Sequence, residues 1–206
     1  IKAPNWVLFL YLLSMEIKSK CAWCKGDVLY EKYHDTEWGV PLFEDQVLFE
    51  LLTLETFQSG LSWITILRKR EEFRKAFDQF DYQKIASYKP SKENELLNNI
   101  GIIRHRSKIS ATINNAQVFL NIQKKYGSFS DYLWNFLDGS PIINKYKSLK
   151  EIPATSPLAK TINRELRQKG YKFIGPKVIY AFMQAIGMVN DHLIDCFRYK
   201  EVNLKR

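Results

Sequence analysis

The chain has 206 residues, 46% hydrophobic and 14% aromatic, enough apolar material for one sizeable core and too much for a disordered chain. Its 31 Lys and Arg against 22 Asp and Glu leave a formal charge of +9, which points to a polyanionic partner: nucleic acid first, an anionic membrane surface second, with a merely soluble basic protein as the plain alternative. Three cysteines, an odd number, do not build a disulfide framework, so a reducing cytoplasm is expected.

Residues 6–13 are apolar but far too short to span a bilayer, and no clear small-residue cleavage site follows them. Met15 stands just downstream as an alternative start. Residues 1–20 are therefore set apart as an apolar N-terminal extension that need not be native, ahead of one domain over 21–200 and a tail at 201–206. Helical periodicity begins at 46–54, where Val47, Leu48, Leu51, Leu52 and Leu54 share a stripe. It resumes over 63–80 through Ile64, Leu67, Phe73, Phe77 and Phe80. Amphipathic stretches follow at 91–99, 107–126 and 129–137, punctuated by Gly60, Pro90, Gly101, Gly127, Gly139-Ser140-Pro141 and Pro153. Thr155-Ser156-Pro157 reads as a helix start. Strand-like alternation and internal repeats are lacking, so the expected fold is all-α.

The stretch after that start has a sharper shape. A helix over 158–169 leads into Gly170-Tyr171-Lys172-Phe173-Ile174-Gly175-Pro176-Lys177, and a second helix runs to about Gly187. Two helices joined by a tight Gly-containing turn resemble a helix-hairpin-helix DNA-binding unit. Gly170 and Gly175 permit the turn, free N–H groups opening the second helix suit a phosphate, and Lys169, Lys172 and Lys177 add positive charge. Such a unit grips the DNA backbone without reading sequence.

Candidate metal ligands lie at both ends of the chain: Cys21, Cys24 and His34 near the start, His192 and Cys196 near the end. If 192–196 is helical, the i, i+4 spacing puts His192 and Cys196 on one face. Five residues thus compete for the four places of a closed tetrahedral zinc site, which would clip the termini together and leave no open position for chemistry. The Cys21/Cys24 pair also forms a CxxC, a redox motif near a βαβ pattern, but no such pattern follows.

Between Trp23 and Trp63 the chain is dense in rings, with Tyr30, Tyr33, Trp38, Phe43, Phe49 and Phe57 between them. Glu55 closes the run Leu51-Leu52-Thr53-Leu54, either exposed at a helix end or held in a pocket. The rings are either core filling or a surface on which a flat, cationic heterocycle stacks.

Five motifs in collinear order carry a resemblance: Cys21-x-Trp23; Tyr33-His34-Asp35-x-Glu37-Trp38-Gly39-Val40-Pro41; Leu54-Glu55-x-x-Gln58-x-Gly60-Leu61-Ser62-Trp63-Ile64-Thr65-Ile66-Leu67; Gly101-Ile102-Ile103-Arg104-His105-Arg106; and Asn190-Asp191-His192-x-x-x-Cys196. Together, from Cys21 to Cys196, they resemble the 3-methyladenine DNA glycosylase I family. The resemblance implies an all-α helix-hairpin-helix glycosylase fold and excision of alkylated bases from double-stranded DNA. It implies one structural zinc on Cys21, His34, His192 and Cys196, with Cys24 left out, and a base pocket of Tyr30, Tyr33, Glu55 and Trp63. Leu61 falls in the loop expected to probe the gap left by the extruded nucleotide. Thr56 departs from the family pattern, where a smaller residue is expected, and is placed at the pocket mouth.

The expected chemistry is hydrolysis of the N-glycosidic bond of 3-methyladenine, a cationic base that leaves readily once extruded and bound. Trp63 and Tyr33 are expected to sandwich the base, Glu55 to accept from its amine and favour its positive charge, and Tyr30 to shape the pocket edge. Asp191 is read as a helix cap or a partner of His192. Lys177 is read as phosphate-facing rather than as a lyase nucleophile, so a monofunctional, monomeric hydrolase with its zinc remote from the pocket is expected. Two other classes stay open: a DNA-binding module with an inert pocket, and a redox protein using Cys21 and Cys24.

Overall fold

The computed structural model describes residues 19–203. The apolar stretch at 6–13, Met15 and the last residues of the tail lie outside them. Among the described residues are ten α-helices: α1 (Val28–Thr36), α2 (Asp45–Gln58), α3 (Trp63–Ala76), α4 (Tyr82–Ala86), α5 (Pro90–Asn98), α6 (Arg106–Tyr126), α7 (Phe129–Trp134), α8 (Pro157–Gln168), α9 (Pro176–Ala185) and α10 (Phe197–Asn203). Their starts are chemically marked. Asp27, Asp81, Ser128 and Ser156 each accept a backbone N–H of the first turn, and proline opens α5, α8 and α9.

Helix α2 is the axis of the fold. Its residues 48–57 are all buried, because α3, α6, α7 and α9 surround it. Around it Phe49, Phe57, Phe73, Phe77, Phe119, Phe129 and Phe182 build a largely aromatic core. Each such ring contributes roughly 1.5–3 kcal/mol on burial.

Three local expectations change. The helix foreseen over 63–80 ends at Ala76, and Asp78, Gln79 and Phe80 take positive φ. Phe73, Phe77 and Phe80 still stack in sequence and are fully buried, so the apolar spacing runs through a turn that the backbone does not make as a helix. A two-residue parallel pair, β1 (Ile142–Ile143) with β2 (Val189–Asn190), adds a strand element that is too short for alternation to reveal. Finally, residues 192–196 form a turn closed by Cys196 N–H to the Leu193 carbonyl, and helix begins only at Phe197.

Two glycines let segments approach. Gly39 (φ +79°) passes His192 so closely that a Cβ would stand 3.0 Å from Nε2. At Gly187 (φ +71°) a Cβ would lie 2.4 Å from the Val40–Pro41 backbone. This strap, with Gly39 N–H donating to the Gln184 carbonyl, joins the second motif of the chain to the end of α9.

Candidate active site and metal centre

The central helix and its neighbours leave a cleft of about 310 Å³ whose walls include Trp23, Tyr30, Tyr33, Trp38, Glu55 and Trp63, with Gln58 and Gln184 on its polar margin. Local sequence explains the placement. Asp27 caps α1 through the Tyr30 N–H (3.0 Å) and is itself held by Arg68. Tyr30 and Tyr33 then fall one turn apart on α1. Behind Tyr33, Arg70 donates to Glu37 (2.5 Å) and to the buried Glu50 (2.6 Å), and Arg74 completes Glu50's shell.

Two carboxylates are buried on α2, and they differ. Glu50 is neutralised by two arginines, whereas Glu55, 4% exposed, has no hydrogen-bond partner among the described residues. Desolvation alone pushes its carboxyl up to about 8. An uncompensated carboxylate at the wall of an aromatic cleft is costly to keep, and a cation in the cleft would relieve that cost.

The rings of Tyr33 and Trp63 stand 5.4 Å apart, tilted by 47°. They touch, whereas a base stacked between two rings needs them roughly 7 Å apart, two van der Waals contacts. They form adjoining walls, not the two halves of a sandwich. Thr56 is buried, with its hydroxyl bonded back to the Leu52 carbonyl (3.0 Å), and it does not line the cleft; the expectation that it stands at the mouth is not met. Leu61 sits half-exposed in the α2–α3 turn, its carbonyl accepting from Gln58 (3.0 Å).

Cys21, His34, His192 and Cys196 are all buried, and their ligand atoms lie within 4.8 Å of one another. Cys196 Sγ is 3.4 Å from His34 Nε2 and 3.7 Å from His192 Nδ1, and Cys21 Sγ is 3.8 Å from the same Nδ1. A tetrahedral zinc sphere sets its sulfur and nitrogen ligands about 3.6 Å apart, so these spacings fit a metal ion. The other ring nitrogens are occupied: His34 Nδ1 by Asp35 (2.8 Å), His192 Nε2 by the Trp38 carbonyl (3.1 Å). Cys24 turns away, its thiol on the Cys21 carbonyl (3.1 Å). Their mutual hydrogen bond drives the Cys21 thiol up and the Cys196 thiol down, a competition for one proton that a cation removes.

This Cys2His2 cluster is not remote from the cleft. Trp23 meets His34 edge-on at 5.3 Å and Trp38 meets His192 at 4.6 Å, and both tryptophans line the cleft. Asp191, for its part, is neither a helix cap nor bonded to His192. It accepts from Asn144 (2.6 Å), Tyr180 (2.7 Å) and Gln184 (2.7 Å).

The chain from residue 23 to residue 199 matches the model of the methyladenine glycosylases. It belongs to the methyladenine glycosylase family. A DNA-3-methyladenine glycosylase of Haemophilus influenzae is 43% identical over 178 residues, 86% of this chain and 96% of that protein. DNA-3-methyladenine glycosylase 1 of Escherichia coli is 42% identical, covering 87% and 96% respectively. Among solved structures, a crystal structure of 3-methyladenine DNA glycosylase I superposes with a TM-score of 0.85 at 46% identity, covering 87% of this chain and 98% of that one. Another, at 37% identity and a TM-score of 0.84 (86% and 96% covered), holds 3-methyladenine.

In this family member the turn between α8 and α9 is tightly built. Asn115 clamps Lys172 through both its N–H (2.8 Å) and its carbonyl (3.0 Å), and Asn114 donates to the Gly170 carbonyl. Lys172 and Lys177 are exposed, and no side chain caps the N-terminus of α9 at Gly175. Lys169 is otherwise engaged, its ammonium 5.3 and 5.2 Å over the rings of Tyr126 and Tyr132. Sequence reasoning quoted Gln58 in a motif without giving it a role, and missed Gln184. A lone Gln near the end of the apolar α9 was the available signal for the second.

Proposed function

We propose that this glycosylase removes 3-methyladenine from alkylated double-stranded DNA by hydrolysing its N-glycosidic bond. The observation that carries the reading is Glu55: an unpartnered, desolvated carboxyl at the wall of an aromatic cleft, built to receive a flat cation. Tyr30, Tyr33 and Trp63 supply apolar walls, and Glu55 accepts from the base's exocyclic amine. Methylation at N3 has already weakened the bond, so the protein needs only to extrude, hold and hydrate.

The α8–α9 turn serves as the helix-hairpin-helix grip, with Gly170, Gly175, Lys172 and Lys177 toward the phosphates, Lys169 adding charge from behind, and Leu61 probing the vacated stack. Zinc is the ion that suits two thiolates and two imidazoles closed on themselves, and its part is to hold the chain ends together. Cysteines without a disulfide, two of them on the metal, agree with work in a reducing cytoplasm. We take the described unit to act as a monomer. No helix among the described residues is long and apolar enough to cross a membrane.

Titration of the protein with free bases tests the reading, because Trp23, Trp38 and Trp63 all line the cleft and report occupancy by fluorescence. 3-Methyladenine should quench them saturably and 7-methylguanine should not. Equal response to both, or none to either, would overturn it.

A further inference from the structure

We propose that Gln184 reads the exocyclic position of the bound base, and that Asp191 sets which end of the Gln184 amide does the reading; both rest on the glycosylase function above. Gln184 lines the same cleft as Glu55 from α9. Its Nε2 donates to Asp191 Oδ2 at 2.7 Å. A carboxylate offers only acceptors, so the nitrogen end must face it and the orientation of the amide is determined. The carbonyl Oε1 then has no partner among the described residues and is left to the cleft.

Asp191 is itself held in place. Oδ2 also accepts from the Tyr180 hydroxyl (2.7 Å), one helical turn before Gln184, and Oδ1 accepts from Asn144 Nδ2 (2.6 Å) beside the β1–β2 pair. The group is almost wholly buried, 1% exposed, and no other side chain among the described residues bonds its oxygens. Gln184 therefore presents a fixed acceptor, a second one in the cleft that Glu55 also lines. An adenine amine offers two N–H donors at this position, where a guanine presents the O6 acceptor. Two acceptors in one cleft welcome the first and leave the second facing lone pairs. Selectivity for 3-methyladenine over 3-methylguanine follows from the orientation of one amide.

Asp191→Leu replaces the anchor with a group of similar size that accepts nothing, and the Gln184 amide is then free to turn its nitrogen to the cleft. Gln184→Met removes the acceptor while keeping the volume.

The test is release of both bases from one methylated duplex, scored as the ratio of 3-methyladenine to 3-methylguanine, which does not depend on the active fraction of the sample. Gln184→Met should lower the ratio about fivefold, the scale of one neutral hydrogen bond. Asp191→Leu should lower it by about threefold, since the amide then presents a donor in part of the molecules. An unchanged ratio in Gln184→Met overturns the proposal. A ratio lowered there but unchanged in a folded, metal-loaded Asp191→Leu protein overturns Asp191 as the setter. If Asp191→Leu does not fold, Gln184→Met decides for Gln184 and Asp191→Ala, which also removes the acceptor, tests the setter in its place. Release of neither base by the unaltered protein would sink the glycosylase function itself, a separate failure.

Discussion

Burial carries the Glu55 carboxyl up to about 8, so in the empty cleft at neutral pH it is mostly protonated. A cationic base stabilises the ionised form, and only that form attracts the cation. The value of kcat/KM on methylated DNA should therefore climb with pH, by up to about tenfold per unit, and level off above about 8, with Glu55→Gln showing a flat and lower profile. The same shift acts on stability with a definite sign. Because the folded value exceeds the ordinary 4.5, the folded protein keeps a proton the unfolded chain has released, and ionising Glu55 costs stability progressively between pH 4.5 and about 8. Thermal melts of Glu55→Gln should gain about 3–8 °C in Tm at pH 8 and little at pH 4.5. A lower Tm at pH 8 would show that the carboxylate is compensated by something else.

At the scale of elements, the α8–α9 turn and the Gly187 strap make separate predictions. Replacing Lys172 and Lys177 by Ala should weaken DNA binding and reduce the slope of log affinity against log salt by about 2, one for each phosphate left without its lysine. Lys169→Ala should reduce the slope less than either, since that ammonium stands over two tyrosine rings and adds charge only from behind. Gly187→Ala should cost at least about 2 kcal/mol, read by denaturant unfolding, because its Cβ has no room beside Val40 and Pro41. Much at this scale was legible in the chain. The stripe of α2, the long α6 and the Ser156-Pro157 opening of α8 all follow from spacing and capping. The end of α3 was not, because Phe73, Phe77 and Phe80 keep helical spacing while Asp78, Gln79 and Phe80 turn left-handed. Nor was the turn at 192–196: two ligands four apart meet in a turn as readily as on a helix. Ring density and the family resemblance singled out Tyr30, Tyr33, Glu55 and Trp63, which line one cleft. The direction of a side chain is not written in residue spacing, which is why Thr56 was misplaced and Gln184 overlooked.

At the scale of the molecule, the first two motifs and the last close on one buried Cys2His2 cluster that backs directly onto the cleft through Trp23 and Trp38. Metal and base binding should therefore be coupled by contact. Stripping the metal with a strong chelator, or Cys196→Ser, should lower Tm and also weaken quenching by 3-methyladenine, as the two tryptophans lose their backing. Elemental analysis should find one zinc per chain. A fall in Tm with base affinity intact would mean the cluster only ties the chain ends.

The most direct measurement is base release: incubate the protein with methylated duplex DNA and chromatograph what is set free. Release of 3-methyladenine with 7-methylguanine left in the DNA is the expected result. A folded, zinc-loaded protein that binds the duplex yet releases no base would contradict it and leave a DNA-binding module with an inert cleft.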